Sequence, residues 1–120
     1  MTENRRKGLA LVQQLWGAIP PLANDPSPLI GETVEHLFGQ IWQREVLKVE
    51  QRSFATVAIL IALNRETELR QHIAAARRLG HSDETIEELI LHVAFYAGWP
   101  CGIAALRVLR ELQNASGAST

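Results

Sequence analysis

Three residues that could take part in proton transfer recur at intervals of four in the last third of the chain: Glu88, His92 and Tyr96. On a helix this spacing places them on one face, and a carboxylate one turn from an imidazole can fix its tautomer and favour its protonated form. Such a pair is typical of a general acid. The pattern fits equally an ordinary hydrogen bond on a solvated face, although Leu91 and Phe95 flank the row and argue against full solvation.

A second polar row consists of Arg65, Glu68 and His72, which stand beside an apolar stripe of helical period. Polar side chains at the edge of a core need partners, because burial without a hydrogen bond is costly. Salt bridges that join neighbouring helices would satisfy this need, and so would a role in binding or proton transfer. The pattern alone leaves both interpretations open.

Arg52 directly precedes an apolar segment that runs from Ser53 to Leu63. A guanidinium at this place would be poorly solvated unless it met a carboxylate, which can come from the protein or from a ligand. Among the aromatic residues, Trp42 and Trp99 are candidates to contact a ligand, although such residues more often pack in a core. Trp99 is the better placed, since it stands between a glycine and a proline at a helix break.

Cys101 is the single cysteine, so the chain has no internal disulfide and no CxxC motif. It follows a proline at a helix start, where the helix dipole favours a thiolate, but packing is the simpler interpretation. The sequence also lacks a phosphate-binding glycine loop and the paired histidines of a zinc helix. We therefore expect neither a metal nor a redox cofactor.

Charge and hydropathy point to a cytoplasmic protein that binds neither nucleic acid nor membrane. The net charge is −1, and the only basic cluster, Arg5–Lys7, is too short for a nucleic-acid interface. No secretory signal opens the chain, and the uncharged run Ser53–Asn64 is too short to span a bilayer.

Helical periodicity and its usual boundary signals account for the whole chain, whereas no segment alternates as a strand would. We predict an all-α fold of about six helices in a single domain over residues 1–120, with residues 1–27 as an N-terminal helix and linker. The predicted helices are Asn4–Trp16, Ser27–Arg44, Glu50–Leu63, Arg65–Leu79, one from Ser82 to a break at Gly98, and Cys101–Gln113. The segment Pro20–Pro28 is predicted as an extended link, and the tail Asn114–Thr120 as frayed.

Ser27 and Ser82 are predicted N-caps, and Gly80 is predicted to end the helix before it. Two helices are apolar on more sides than one chain of this length can cover: the segment Ser53–Leu63, and the helix after Ser82, where Leu91 and Phe95 lie opposite the main apolar face. Since exposed apolar patches usually mark interfaces, we predict a homo-oligomer.

Taken in order, several motifs resemble the carboxymuconolactone decarboxylase family over about residues 35–112. They are Phe38-Gly-Gln-Ile-Trp42, Glu50-Gln-Arg52-Ser53, Ala58 to Leu63, Glu68-Leu-Arg-Gln-His72, Gly80, Glu88 to His92, and Tyr96-Ala-Gly-Trp-Pro100. The alkylhydroperoxidase-like branch of this superfamily carries CxxC shortly before the shared histidine, at places that here hold Arg65 and Glu68. The resemblance is therefore to the branch that lacks the redox pair.

This resemblance implies a helical oligomer, such as a trimer or hexamer, with active sites near subunit interfaces. It also implies cofactor-independent decarboxylation of 4-carboxymuconolactone in the β-ketoadipate pathway of aromatic catabolism. The reaction needs a cation for a carboxylate, donors for the developing enolate oxygen, and an acid to reprotonate carbon. We assign these catalytic roles to Arg52, His72 and His92, with Glu88 orienting His92.

The residues expected to bind or shape the substrate pocket are Tyr96, Trp99, Trp42, Glu68 and Cys101. The chain departs from the family at Arg44-Glu45-Val46, where many members have Arg-Pro-Gly, and at Cys101-Gly102-Ile103, where Ala-Ala-Asn is common. These differences leave open, as the alternative, a related acid–base enzyme of a biosynthetic pathway, such as a lactone isomerase, dehydratase or cyclase. A non-catalytic oligomeric module is a third interpretation. A thiol-redox enzyme would have to rely on Cys101 alone.

Overall fold

The computed structural model describes residues 1–118, which form helices and loops without a strand. Six α-helices occur in this part of the chain: α1 Glu3–Trp16, α2 Pro28–Glu32, α3 Val49–Ala62, α4 Glu66–Arg78, α5 Asp83–Ala97 and α6 Trp99–Ala118. The all-α prediction is confirmed. The chain divides into two compact units, residues 1–52 and 53–120, with α3 continuous across the boundary. That one domain covers residues 1–120 stays a prediction.

The first unit is built on α1 and on a π-helix that runs from Thr33 to Ile41. The two helices approach at backbone distance, because each presents a glycine to the other. A Cβ on Gly8 would lie 1.9 Å from the carbonyl oxygen of Val34, and a Cβ on Gly39 would lie 2.2 Å from that of Asn4. Only a residue without a side chain fits at either point.

Two predictions for the first unit need correction. The helix predicted over Ser27–Arg44 starts as expected, with the Ser27 hydroxyl accepting from the Ile30 amide, but it widens into the π-helix and ends at Ile41. The segment Pro20–Pro28 is not wholly extended, since Pro21–Asn24 forms a 3-10 turn. Neither change of hydrogen-bond register has a signature in apolar periodicity, which is why the sequence missed both.

The second unit surrounds an apolar core to which α3, α4, α5 and α6 all contribute. Its fully buried members include Val57, Ile61, Leu69, Ile73, Ile86, Ala105, Val108 and Leu109. The predicted caps are confirmed: the Ser82 hydroxyl accepts from the Thr85 amide at 3.1 Å. Gly80 has φ +105° after α4, and the amides of Gly80 and His81 donate to the carbonyls of Arg77 and Ala76, each at 3.1 Å.

The last helix is longer than predicted at both ends. It starts at Trp99 rather than Cys101, because Gly98, with φ +120°, completes the break on its own. It continues to Ala118, past the predicted end at Gln113, while Ser119 and Thr120 lie outside the described residues. That the tail frays stays a prediction.

Both helices predicted to be apolar on too many sides leave large side chains uncovered in the single chain. On α3, Ile59 is exposed, and Leu63 just beyond its end is exposed too. On α5, Leu91 and Phe95 are exposed opposite a buried face. That face includes Ala94, whereas Ala97 is exposed.

Candidate functional site

Two of the predicted site residues, His92 and Tyr96, lie next to each other on the exposed side of α5. The rings of His92 and Tyr96 lie one turn apart with centroids 5.0 Å from each other. Both side chains are exposed and line a shallow groove of about 430 Å³ between α3 and α5. The other lining residues are Ala58, Ile59, Ala62, Val93 and Ala97. The groove thus offers an imidazole and a phenol on an apolar surface that carries no carboxylate.

Glu88 and Trp99 line a different groove, on the α6 side of α5. This α5–α6 groove has a volume of about 340 Å³ and brings Glu88 and Trp99 together with Glu84, Glu87 and Arg110. Within residues 1–118, no hydrogen bond joins Glu88 to His92. The expected orientation of His92 by Glu88 is therefore not found in the single chain, although four-residue spacing does place them on neighbouring turns.

His72 is half-buried on α4, and its Nδ1 atom is shielded from solvent. Burial lowers the pKa of His72 from its ordinary value of 6.5, and the nearby Glu68 carboxylate opposes this shift more weakly. The imidazole is therefore neutral at pH 7. Glu68 itself is exposed one turn earlier, and Arg65 is exposed at the start of α4.

Arg52 and Trp42 belong to the first unit. The Arg52 guanidinium is half-buried, and its Nη2 donates to the carbonyl of Arg44 at 3.4 Å. Trp42 is only 7% exposed and packs edge-on against Phe38, with ring centroids 5.6 Å apart. Trp42 therefore occupies the position of a core residue, and its role in substrate binding stays a prediction.

Cys101 is half-buried in the first turn of α6. Its Sγ lies 3.8 Å from the carbonyl oxygen of Ala62, which makes a weak hydrogen bond to the end of α3. This contact fits the packing interpretation, and Ala62 in turn lines the groove of His92 and Tyr96.

The charged residues of the α5–α6 groove were missed by sequence reasoning. Glu84, Glu87 and Arg110 come together only because α5 packs on α6, and Arg110 pairs with Glu87 across these helices. Ser53 was passed over as well: its hydroxyl is buried and has no hydrogen-bond partner among the described residues. No local pattern marks either feature, since each depends on tertiary packing.

The structure also bears on metals and membranes. Over residues 1–118, no three His, Cys, Asp or Glu residues lie close enough to hold a metal ion. None of the helices described there combines the length and the apolar character needed to cross a bilayer.

The chain is an all-α protein that carries histidines and an arginine as candidate catalytic residues. Comparison with known proteins identifies its family. The model of the carboxymuconolactone decarboxylase family matches residues 28–111. The chain belongs to this family. The family resemblance read from the sequence is thereby confirmed.

The chain is similar in sequence to two curated relatives, each over part of its length. The chain is 41% identical over 75 residues to a 4-carboxymuconolactone decarboxylase of Acinetobacter baylyi, covering 62% of this chain and 56% of the relative. It is 35% identical over 80 residues to the nitrosuccinic acid decarboxylase of Metarhizium robertsii, covering 67% of this chain and 56% of the relative. The chain thus spans about half the length of the curated relatives it matches.

Proposed function

We propose that this protein catalyses cofactor-independent decarboxylation of a small carboxylated substrate, with a 4-carboxymuconolactone-like lactone as the first candidate. Family membership and two relatives named as decarboxylases support this proposal. The observation that carries it is the pairing of His92 with Tyr96 on an apolar groove without carboxylates. An anionic substrate would meet no like charge there, whereas three glutamates line the α5–α6 groove.

The proposed reaction breaks the bond between the lactone ring and its carboxylate and releases carbon dioxide. The electron pair left behind delocalises toward the lactone carbonyl as an enolate, and a proton is then added to carbon. Arg52 is proposed to bind the substrate carboxylate, because a guanidinium matches it with two hydrogen bonds. His92 is proposed to donate the proton, and Tyr96 to position the substrate beside it.

His72 is proposed to stabilise the enolate rather than to supply the proton. Burial lowers its pKa, so its imidazole is neutral near pH 7 and can donate an N–H hydrogen bond without carrying charge. Glu68, Glu88, Trp99, Trp42 and Cys101 remain proposed pocket or positioning residues. Neither metal nor redox cofactor is required by this scheme.

We further propose that the protein is a cytoplasmic homo-oligomer, as a trimer or hexamer, in which a neighbouring chain covers the groove of His92 and Tyr96. The groove is open in the single chain, and Tyr96 is 83% exposed. A neighbour would exclude water and so strengthen every hydrogen bond to the substrate. The β-ketoadipate pathway is the proposed setting.

The direct test is carbon dioxide release from 4-carboxymuconolactone and from nitrosuccinic acid, in parallel and with a chelator present. We expect turnover of the lactone and no effect of the chelator. His92→Ala should lower kcat by about 10²–10⁴, the usual value of a positioned proton donor. His36→Ala is the matched control, since His36 is an exposed histidine on the π-helix and should leave turnover unchanged.

A related acid–base enzyme is the second candidate. It rests on the two departures from the family pattern, at Arg44-Glu45-Val46 and at Cys101-Gly102-Ile103. Turnover of a lactone without carbon dioxide release would select this candidate. A folded protein that binds neither acid would instead favour the non-catalytic oligomeric module.

A further inference from the structure

The proposed reaction gives a positioning role to Glu88 and Trp99 but none to the rest of the α5–α6 groove. Ala94 and Gly102 form its buried floor, because the two helices touch there. Leu91, Trp99 and Ile103 form an apolar end and are each exposed. A volume of about 340 Å³ is enough to take one or two side chains of a partner.

The other end of the groove is acidic. Glu84, Glu87 and Glu88 line it, with Arg110 as the single cation. Because Arg110 pairs with Glu87, the carboxylates of Glu84 and Glu88 leave an excess negative charge. The groove therefore fits a segment that carries apolar side chains next to a basic one.

The same groove of a second chain does not complement this one. If two chains met groove to groove in antiparallel orientation, the acidic end of each would lie on the apolar end of the other and bury carboxylates against Leu91 and Trp99. In parallel orientation, the two acidic ends would meet and repel. The complementary surface must therefore lie elsewhere, and the contact must be heterologous.

The loop between the π-helix and α3 has the required chemistry. Val46 is 84% exposed and Leu47 is 44% exposed, so two apolar side chains project from one short loop. Arg44 and Lys48 flank them, and with Glu45 between, the loop keeps one excess positive charge. Among the other segments with exposed apolar side chains, residues 19–29 contain no basic residue. Leu63 to Glu66 offers one apolar residue and a basic residue followed directly by an acidic one.

We infer that the loop 44–48 of one chain docks in the α5–α6 groove of a second copy. Val46 and Leu47 occupy the apolar end beside Trp99 and Ile103, and Lys48 faces the acidic end. This inference rests on the self-association proposed above and names its contact. A heterologous contact of this kind closes into a ring when the rotation between copies allows it.

Cross-linking between differently tagged chains tests the contact directly. Both chains carry Cys101→Ala, so that no native thiol remains; one then carries Val46→Cys and the other Ile103→Cys. On co-expression and mild oxidation, we expect a disulfide that joins the two tags. A link between two Ile103→Cys chains would show groove-to-groove contact and overturn the inference.

Charge reversal gives an independent readout, measured as the oligomer dissociation constant by sedimentation. Lys48→Glu and Glu84→Lys should each weaken association by about tenfold, and the double variant should recover most of the loss. Leu29→Asp is the matched control, because Leu29 is an exposed apolar residue outside both surfaces and should leave association unchanged.

The outcomes separate this inference from the proposed function. An oligomer without the Val46–Ile103 link, or without rescue in the double variant, overturns the docking mode while self-association stands. A monomer at micromolar concentration overturns both. Decarboxylation is scored separately, because Val46, Lys48 and Glu84 have no place in the proposed chemistry.

Discussion

Gly102 of α6 stands so close to Ala94 of α5 that a Cβ added at position 102 would lie 2.7 Å from the Cβ of Ala94. Real Cβ atoms do not approach to this distance, so the two helices can meet here only because one residue has no side chain. The same contact forms the floor of the α5–α6 groove.

Gly102→Ala should therefore destabilise the protein. Overpacking a tight contact costs about 1–3 kcal/mol, and the gain in helix propensity from glycine to alanine offsets only part of it. We expect the free energy of unfolding to fall by about 1–2 kcal/mol in urea denaturation. Gly31→Ala is the control, because nothing lies within 4 Å of a Cβ at position 31 on α2. Equal stability of the two variants would contradict the prediction.

His72 should make stability depend on pH. Its folded-state pKa lies below the ordinary value of 6.5, so the unfolded chain binds the extra proton first as pH falls. The free energy of unfolding should decrease below about pH 6.5 and level off below the lowered folded-state pKa.

The contribution of His72 can be isolated by substitution. Urea denaturation at pH 7.5 and 5.5 should show a smaller pH effect for His72→Gln than for the unmodified chain. His36→Gln should keep the full pH effect, since His36 is exposed and hydrogen-bonded to Gln40 on the same helix. An unchanged difference in His72→Gln would show that other groups cause the pH dependence.

Glu88 and His92 should act independently in catalysis. They line different grooves on the two sides of α5, so removal of one leaves the surroundings of the other intact. In a double-mutant cycle with Glu88→Gln and His92→Gln, the effects on kcat/KM should add to within about 0.5 kcal/mol. Strong coupling would mean that the carboxylate reaches the imidazole in the working enzyme, as the sequence pattern suggested.

Asp83 should contribute to the stability of the second unit through the hydrogen bonds that it accepts. Its carboxylate accepts from Arg77 Nε at 2.9 Å and from Gln113 Nε2 at 3.1 Å, which ties α4, α5 and α6 together. Asp83→Asn should lower the free energy of unfolding by about 1–2 kcal/mol, because charge-assisted hydrogen bonds are stronger than neutral ones. Glu3→Gln, which breaks the more exposed pair with Arg6, should have a smaller effect.

Sequence periodicity predicted the number and approximate bounds of the helices because capping and apolar spacing act locally. Ser27, Ser82 and Gly80 have the predicted places at helix ends. The π-helix escaped prediction because a change of hydrogen-bond register has no signature in apolar spacing. The extension of α6 beyond Gln113 escaped it because the residues there are small and polar and carry no apolar period.

The arrangement of the candidate site depends more on tertiary packing than the helices do. Spacing correctly set His92 beside Tyr96, since both belong to one helix. Spacing also placed Glu88 in that row, yet the packing of α6 against α5 puts this carboxylate in another groove. Which face of α5 another helix covers depends on tertiary contacts, and residue intervals along one helix do not contain that information.

The paired glycine contacts between α1 and the π-helix also restrict how this crossing can change. Each helix inserts a carbonyl oxygen into the notch left by the other's glycine, at Gly8 and at Gly39. A slide of one residue along either axis would set a Cβ against an oxygen at both notches at once. Two contacts therefore fix the register of this crossing. An insertion or deletion within Thr33–Ile41 would have to be accommodated outside these contacts, toward Pro20 or toward Lys48.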